Sequence, residues 1–297
     1  MKGIILAGGT GSRLFPNTIA TSKQLLPVYD KPMIYYPLAT LMLAGIREIA
    51  LISTPEDLPR FRKLFSTGEA LGLSITYIPQ LKPEGIAQAF ILAQDFIGDS
   101  PVSLVLGDNI FSGHQLKSIL QDCYYHEQGA IIFGYHVQNP SRYGVIDFDS
   151  SFRVKKLIEK PKDPPSSYAI TGLYFYDSLV VDIAKRLKPS LRNELEITDI
   201  NQIYLEQGAL KVKLFDRGFA WLDTGTHDAL HKASSYVQTI QERQGIQIGC
   251  IEEIAFDNGW ITLEQLQAIA DLYPSSEYGV YLKNLVTKNS KIFCDIC

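Results

Sequence analysis

The sequence has few cysteines, no long apolar run and no excess of basic charge. Its 297 residues include 4 cysteines, too few for the disulfide framework of a secreted scaffold. Glycine, proline or charged residues interrupt every apolar run before it reaches the roughly 20 residues that a bilayer span needs. Basic residues number 28 and acidic residues 32, so the formal charge of −4 offers no general attraction for nucleic acid. We therefore expect a soluble, cytoplasmic protein that binds neither a membrane nor nucleic acid.

The two ends of the sequence carry no signal that changes this expectation. The apolar run from Met1 to Ala7 is too short for a signal peptide. At the other end Cys294 and Cys297 form a C-x-x-C pair, but no second pair stands nearby to complete four zinc ligands. We interpret these cysteines as reduced thiols of a mobile tail rather than as a metal or redox site.

Short apolar runs alternate with helical patterns through the first half of the sequence. The runs predicted to be strands are Ile4–Ala7, Ile49–Ile52, Ile75–Ile78, Val102–Leu106 and Ala130–Phe133. The patterns predicted to be helices, each followed by a glycine, are Met33–Leu43, Leu58–Phe65, Ile86–Phe96 and Leu116–Tyr125. Continuous apolar strands separated by helices are typical of a parallel sheet that helices cover on both faces. The sequence therefore predicts an α/β fold.

The pattern changes after about residue 140. Three strand-like runs, Gly144–Phe148, Val154–Ile158 and Thr171–Tyr176, predict a small sheet inserted into or appended to the core. Two helical patterns and one strand follow, at Leu179–Leu187, Ile200–Gln207 and Lys211–Phe215. The remainder is mostly helical. We predict a core of residues 1–227, which includes the small sheet at about 140–176, and a helical C-terminal region of residues 228–297.

A glycine-rich segment, Gly8-Gly9-Thr10-Gly11-Ser12-Arg13, follows directly after the first predicted strand. Ligands of α/β proteins bind at this end of a strand, and glycines let backbone N–H groups approach phosphate oxygens closely. The segment is neither a dinucleotide fingerprint, which requires glycine where Leu14 stands, nor a P-loop, which requires Lys before Ser or Thr. A plain tight turn is the alternative. Lys23 follows in a stretch stiffened by two prolines, and a long basic loop of this kind suits a triphosphate.

Two aspartates and a Glu-Lys pair could contribute further charges to a phosphate site. Asp108 follows the fourth predicted strand, and Asp223 precedes a Thr-Gly-Thr turn. Two carboxylates together could hold Mg²⁺, although either aspartate alone could simply support a turn. Lys160 suits a monophosphate, and the neighbouring Glu159 could accept hydrogen bonds from sugar hydroxyls. A solvated ion pair at the end of a strand is the alternative for these two residues.

Several segments together resemble the sugar nucleotidyltransferase family, and within it the enzymes that use dTTP. The segments that carry the resemblance are Met1 to Leu14, Ser22 to Val28, Tyr77 to Gln80, Gly107 to Asn109, Glu159 to Pro161, Thr171 to Tyr174 and Trp221 to Thr226. The resemblance covers essentially the whole chain, with small departures at Ser12 and Ser112. It implies a Rossmann-like mixed sheet flanked by helices, a homotetramer, Mg²⁺ as cofactor, and synthesis of dTDP-glucose and pyrophosphate from dTTP and α-D-glucose 1-phosphate.

The resemblance also implies a role for each matching residue. The nucleotide-binding set is Gly8, Gly9, Gly11, Arg13 and Lys23 for the dTTP phosphates, and Gln24, Gln80 and Gly85 for the deoxyribose and thymine region. The set implied for glucose 1-phosphate is Asn109, Tyr143, Gly144, Glu159, Lys160 and Ile170. Asp108 and Asp223 would be the Mg²⁺ ligands. Arg13, Lys23 and Lys160 would be the catalytic residues because they neutralise phosphate charge, and no protein nucleophile is required.

Other functions stay open at this point. A uridylyltransferase of the same family is the nearest alternative, because nothing in the sequence reads the methyl group of thymine. A non-catalytic homologue that binds nucleotide sugars is another, although retention of the charged residues argues against it. The apolar pattern Ile261, Leu263, Leu266 and Ile269 is typical of a helix covering the sheet core. The resemblance implies instead that this region builds subunit contacts and a second site, where a dTDP-sugar inhibits.

Overall fold

The computed structural model describes residues 1–296, with side chains described up to residue 290. The prediction for Cys294 and Cys297 therefore lies outside the described side chains. The strands of the described residues are β1 (Lys2–Leu6), β2 (Pro27–Val28), β3 (Lys31–Pro32), β4 (Glu48–Ser53), β5 (Ser74–Pro79), β6 (Val102–Leu106), β7 (Asn109–Ser112), β8 (Ala130–His136), β9 (Gly144–Phe148), β10 (Val154–Glu159), β11 (Tyr168–Tyr176), β12 (Leu210–Phe215) and β13 (Ala220–Asp223). Nine of these form one central sheet.

Helices cover the central sheet and make up the described chain beyond β13. They are α1 (Tyr35–Leu43), α2 (Leu58–Phe65), α3 (Gln88–Leu92), α4 (Gln94–Ile97), α5 (Leu116–Tyr124), α6 (Val180–Arg186), α7 (Ile197–Glu206), α8 (His227–Gln244), α9 (Ile251–Asp257), α10 (Leu263–Asp271) and α11 (Glu277–Ile296). Within residues 1–296, none of these helices has the length and apolar character needed to cross a membrane.

The central sheet confirms the α/β prediction. Its strands follow the order β10-β9-β11-β6-β1-β4-β5, with β8 paired to β11 and β12 paired to β8. The strands β6, β1, β4 and β5 run parallel, whereas β11 runs antiparallel to β6, so the sheet is mixed. Successive residues of a strand face opposite sides of a sheet. Ile4 and Ile5 of β1 accordingly enter separate apolar cores, one under each helical layer.

The strands of residues 140–176 differ from the prediction in where they pair. They extend the central sheet instead of forming a sheet of their own, because β11 is long enough to pair with both β6 and β9 along one side, while β8 pairs along the other. Leu173 in its second half pairs with Val105 of β6, and Ala169 in its first half pairs with Val145 of β9. The small sheets of the described residues are β2 with β3 and β7 with β13. The predicted helix Ile86–Phe96 is divided into α3 and α4 at Ala93.

The sheet brings the ends of four neighbouring parallel strands, β6, β1, β4 and β5, to one edge. The N–H of Gly107, just after β6, donates to the carbonyl oxygen of Leu6 at the end of β1, at 2.9 Å. The N–H of Gln80, just after β5, donates to the carbonyl oxygen of Ser53 at the end of β4, at 2.8 Å. The glycine-rich segment, Asp108 and Gln80 therefore leave the sheet at the same edge, where ligands of such sheets bind.

Candidate functional site

Two adjoining clefts lie at this edge of the sheet. The first, of about 440 Å³, lies over the glycine-rich segment, and we call it the loop cleft. The second, of about 410 Å³, lies over β9, β11 and the start of β7, and we call it the sheet cleft. Arg13, Ile86, Asp108 and Lys160 line both. Two ligands bound in these clefts would therefore meet beside two basic side chains and one carboxylate.

The two predicted binding sets line different clefts, apart from Arg13 and Lys160, which line both. The loop cleft is lined by the whole predicted nucleotide-binding set: Gly8, Gly9, Gly11, Arg13, Lys23, Gln24, Gln80 and Gly85. The sheet cleft is lined by the whole set predicted for the sugar phosphate: Asn109, Tyr143, Gly144, Glu159, Lys160 and Ile170. Asp108 and Asp223 lie together in the sheet cleft. The structure thus brings these residues together, while their roles stay predictions.

Left-handed backbone shapes the glycine-rich segment. Gly9 and Gly11 have φ angles of 94° and 61°, a region that glycine adopts without steric cost. The hydroxyl of Thr18 donates to the carbonyl oxygen of Gly11 at 2.8 Å and closes the loop. The Arg13 guanidinium extends from the loop to the segment after β13, where Nη2 lies 3.2 Å from the position of a Cβ on Gly225. Gly225 therefore leaves room for this guanidinium.

The pairing of β7 with β13 brings Asp108 and Asp223 together. In this antiparallel pair Asn109 lies opposite Asp223, so Asp108 and Asp223 stand at the same end. Thr224 strengthens the junction, because its N–H and its hydroxyl both donate to the carbonyl oxygen of Asp108, at 3.2 and 2.9 Å. The N–H of Gly225 donates to Asp223 Oδ1 at 2.9 Å. The backbone thus holds both carboxyl groups at the junction of the clefts.

The two aspartates have opposite electrostatic environments. Burial alone would raise the pKa of Asp108, but the Lys23 ammonium, which forms an ion pair with Asp108 Oδ2, holds the pKa below its ordinary value. For Asp223, burial and then the negative charge of Asp108 raise the pKa, against the lowering effects of Lys23, Arg13 and Arg142. The ionised form of Asp223 is therefore disfavoured where it lies.

The donor set fits a hard divalent cation. Within the described part of the chain no group of three or more His, Cys, Asp or Glu side chains is arranged to hold a metal ion. Asp108 and Asp223 are two carboxylates close enough for the charge of Asp108 to raise the pKa of Asp223. Mg²⁺ is commonly held by one or two carboxylates and completes its octahedron with water and substrate phosphates. A cation would also offset the burial and the repulsion from Asp108 that raise the pKa of Asp223.

Asn109 is a buried residue of the sheet cleft that also joins neighbouring strands. Its side chain is 2% exposed. Asn109 Oδ1 accepts from the N–H of Gly172 at 3.1 Å and from the indole N–H of Trp221 at 2.6 Å, and its amide donates to Asp108 Oδ1 at 2.8 Å. A Cβ on Gly172 would lie 2.5 Å from Asn109 Oδ1, so this position of β11 requires glycine. Asn109 thus joins β7, β11 and β13 behind Asp108.

Hydrogen bonds hold Glu159 in the sheet cleft, so it is not simply a solvated residue at the end of a strand. Glu159 Oε2 accepts from the hydroxyl of Thr198 at 2.6 Å, and Glu159 Oε1 accepts from Arg192 Nη2 at 3.1 Å. Lys160 Nζ lies 3.5 Å from Glu159 Oε1. The Lys160 backbone has a φ of 41°, and its N–H donates to the carbonyl oxygen of Tyr143 at 3.0 Å. These contacts orient Glu159 and turn Lys160 toward the junction of the clefts.

Three residues of the site were not predicted from the sequence. Arg142 Nη2 lies 3.8 Å from Asp223 Oδ2, and Arg192 and Thr198 hold Glu159. Arg142 directly precedes the predicted Tyr143, so its charge was a usable signal. Arg192 and Thr198 belong to no recognisable motif. They contact Glu159 because α7 and the segment before it pack against the strand that carries Glu159.

The sequence of the chain matches a family model and curated relatives along nearly its whole length. The model described as nucleotidyl transferase matches residues 2–240. The glucose-1-phosphate thymidylyltransferase of Neisseria meningitidis serogroup A / serotype 4A is 54% identical over 97% of this chain and 100% of its own length. The relative of the same name from Mycobacterium tuberculosis is 52% identical, with the same coverage.

Solved structures agree with the fold. A Bacillus anthracis structure that contains sucrose aligns with a TM-score of 0.74 and 43% identity, over 80% of this chain and 94% of that one. A UDP-glucose pyrophosphorylase complexed with UDP-glucose aligns with a TM-score of 0.70 over 80% of this chain and 98% of that one. Its identity of 24% shows a shared fold only.

Proposed function

The chain belongs to the nucleotidyl transferase family, and we propose that it is the enzyme that makes dTDP-glucose and pyrophosphate from dTTP and α-D-glucose 1-phosphate. The name of the curated relatives supplies the two substrates. The observation in this chain that carries the proposal is the junction of the loop cleft and the sheet cleft at Arg13, Asp108 and Lys160. A triphosphate over the glycine loop and a sugar phosphate beside Glu159 would meet there.

The arrangement suits direct transfer between two phosphate groups. A phosphate oxygen of glucose 1-phosphate attacks the α-phosphorus of dTTP, the bond from that phosphorus to the bridging oxygen breaks, and pyrophosphate leaves with the bond electrons. The reaction needs positioning and charge neutralisation rather than a protein nucleophile. Arg13 and Lys23 would hold the triphosphate, and Lys160 would hold the sugar phosphate. Their charges offset the repulsion between two anionic substrates.

Mg²⁺ would be held by Asp108 and Asp223, whose paired carboxylates fit this ion. When bound, the ion would neutralise charge on the phosphoryl oxygens, which is worth several kcal/mol in such sites. The ammonium of Lys23 forms an ion pair with Asp108, and Lys23 also lines the loop cleft. The same ammonium would therefore be within the cleft that a triphosphate occupies. Asp223 Oδ1 accepts from the N–H of Gly225, and Arg142 Nη2 lies 3.8 Å from Asp223 Oδ2.

A substrate survey tests the proposed reaction. We expect pyrophosphate release with dTTP and glucose 1-phosphate, with UTP as the best alternative nucleotide because thymine and uracil share the same hydrogen-bonding edge. The cytosine of CTP carries the opposite pattern of donors and acceptors on that edge, so CTP should react poorly. The measurement is kcat/KM for each nucleotide with several sugar 1-phosphates. A higher kcat/KM for UTP than for dTTP would favour the uridylyltransferase alternative, and binding without pyrophosphate release would favour a regulatory homologue.

We also propose a homotetramer whose C-terminal helices contribute subunit contacts and a regulatory site for a dTDP-sugar. Two residues of the predicted apolar pattern, Ile261 and Leu266, are not available for contacts because they are buried in the chain's own core, and Leu263 and Ile269 are partly buried against that core. Other apolar side chains of this region are exposed: Ile246, Leu272 and Val280 at 43%, 72% and 50%. These are candidates for burial between subunits.

An inhibition experiment tests the regulatory part of this proposal. A dTDP-sugar end product should weaken the apparent affinity for dTTP by about fivefold to a hundredfold, the range of typical coupling energies. Equilibrium binding with the active site saturated by a substrate analogue should reveal a second site per chain. Competitive inhibition with one site per chain would contradict the regulatory site, and sedimentation velocity would check the tetramer separately.

A further inference from the structure

A chain of hydrogen bonds runs from Gln80, at the floor of the loop cleft, into the protein. Gln80 Nε2 donates to Gln88 Oε1 at 2.7 Å, and Gln88 Nε2 donates to Glu84 Oε2 at 2.8 Å. The backbone N–H of Glu84 also donates to Gln88 Oε1, at 3.1 Å. The side chains of Gln80 and Gln88 are buried, at 3% and 9% exposed.

The direction of this chain is fixed by groups that cannot reverse. A backbone N–H can only donate, and an ionised carboxylate can only accept. The Glu84 N–H therefore holds Gln88 Oε1, and the Glu84 carboxylate holds Gln88 Nε2. With Gln88 fixed, Gln80 must turn its amide nitrogen inward to satisfy Gln88 Oε1. Gln80 is left with its oxygen as the outward group.

The Gln80 oxygen faces the glycine loop. A Cβ added to Gly8 would lie only 1.8 Å from Gln80 Oε1, so the missing side chain of Gly8 makes room for this oxygen. Among the described residues, no donor forms a hydrogen bond with Gln80 Oε1. The atom is also not fully buried, since it is absent from the fully buried polar atoms that lack a partner. The loop cleft therefore presents a fixed, open acceptor at Gln80.

We propose that Glu84 and Gln88 are positioning residues that set the pyrimidine preference of the enzyme by fixing the direction of the Gln80 amide. The inference rests on the proposed function and on the predicted position of Gln80 in the thymine region of dTTP. Thymine and uracil carry an N–H at position 3 that can donate to Gln80 Oε1. Cytosine carries an unprotonated nitrogen there, which would face the oxygen lone pairs. A reversed amide would favour cytosine instead.

Two variants with opposite expectations test the positioning role. Gln88→Met keeps the approximate size but removes both hydrogen-bonding groups, so the Gln80 amide can rotate. We expect the ratio of kcat/KM for dTTP to that for dCTP to fall roughly tenfold, the effect of one lost directional hydrogen bond. The double variant Glu84→Gln/Gln88→Glu exchanges the amide and the carboxylate at constant net charge. It still offers only an acceptor to Gln80, so the ratio should stay near that of the wild type.

Controls separate this inference from the proposed function. Gln94→Glu, an exposed change on the neighbouring helix α4, should leave both nucleotides unaffected. Gln80→Met should lower the ratio if Gln80 reads the base. An unchanged ratio in Gln80→Met would contradict base reading itself, whereas a lowered ratio there with an unchanged ratio in Gln88→Met would overturn only the positioning role.

Two further outcomes would overturn the positioning role of Glu84 and Gln88. Equal losses for dTTP and dCTP in Gln88→Met would show a merely structural role and overturn the proposal, as would loss of selectivity in the double variant. Circular dichroism establishes folding of each variant. If Gln88→Met does not fold, Gln88→Lys replaces it, because lysine offers only donors to Gln80 and should lower the ratio further.

Discussion

Asp108→Asn and Asp223→Asn should each lower turnover by about a hundredfold or more at saturating Mg²⁺. A cation on the reacting phosphates supplies several kcal/mol to the transition state, and about 3 kcal/mol already exceeds a hundredfold in rate. Asparagine keeps the size of aspartate and one of its oxygens, but it lacks the charge that attracts the metal. Steady-state pyrophosphate release, measured with increasing Mg²⁺, gives both the turnover and the metal requirement.

The two variants should differ in stability, which separates loss of metal binding from loss of folding. Asp108→Asn removes the partner of the Lys23 ammonium, whose side chain is only 9% exposed, so this variant should melt at a lower temperature. Asp223→Asn removes a charge that its surroundings disfavour, since burial and then Asp108 raise the pKa of Asp223. Its melting temperature without metal should match or exceed that of the wild type.

A matched control is Asp163→Asn, an exposed aspartate on the loop before β11. It should leave turnover and the Mg²⁺ requirement unchanged. If a folded Asp108→Asn or Asp223→Asn variant kept more than about a third of the wild-type turnover, where a hundredfold loss is expected, the ligand assignment would be wrong.

The sequence predicted the parts of the fold that local patterns encode. The apolar runs of β1, β4, β5 and β6 are nearly continuous, so they predict buried parallel strands. The sheet confirms the parallel pairing of all four, but β5 lies at the edge of the sheet, and Ile75 is its one buried residue. The strands β7 and β13 were not predicted. Each has four residues, and β7 follows the turn-like Gly107 and Asp108. It is the pairing of these two short strands that brings Asp108 and Asp223 together.

Side-chain networks between distant elements were beyond sequence reasoning for a different reason. The hydrogen bond of Thr198 to Glu159 joins α7 to β10, and it depends on how the helix packs rather than on any spacing along the chain. The direction of the Gln80 amide depends in the same way on Gln88 and Glu84. Motifs identified which residues line the clefts, whereas the orientation of those residues required the structure.

Arg13→Ala and Lys160→Met should lower kcat/KM for different substrates, although both residues line both clefts. Arg13 belongs to the glycine loop and packs against Gly225, on the triphosphate side. Lys160 follows Glu159, and its N–H is bound to the carbonyl oxygen of Tyr143, on the sugar side. Loss of a charged hydrogen bond costs about 1.5 to 3 kcal/mol, roughly tenfold to a hundredfold or more in kcat/KM.

Steady-state kinetics in which each substrate is varied separately measure this division. Arg13→Ala should lower kcat/KM mainly for dTTP, and Lys160→Met mainly for glucose 1-phosphate, because methionine keeps the aliphatic chain and removes only the charge. Lys162→Ala, an exposed lysine two positions further along, is the control and should change neither value. If Lys160→Met altered only the dTTP parameters, the left-handed turn at Lys160 would be directing its ammonium to the triphosphate, and the charges of the two clefts would have to be reassigned.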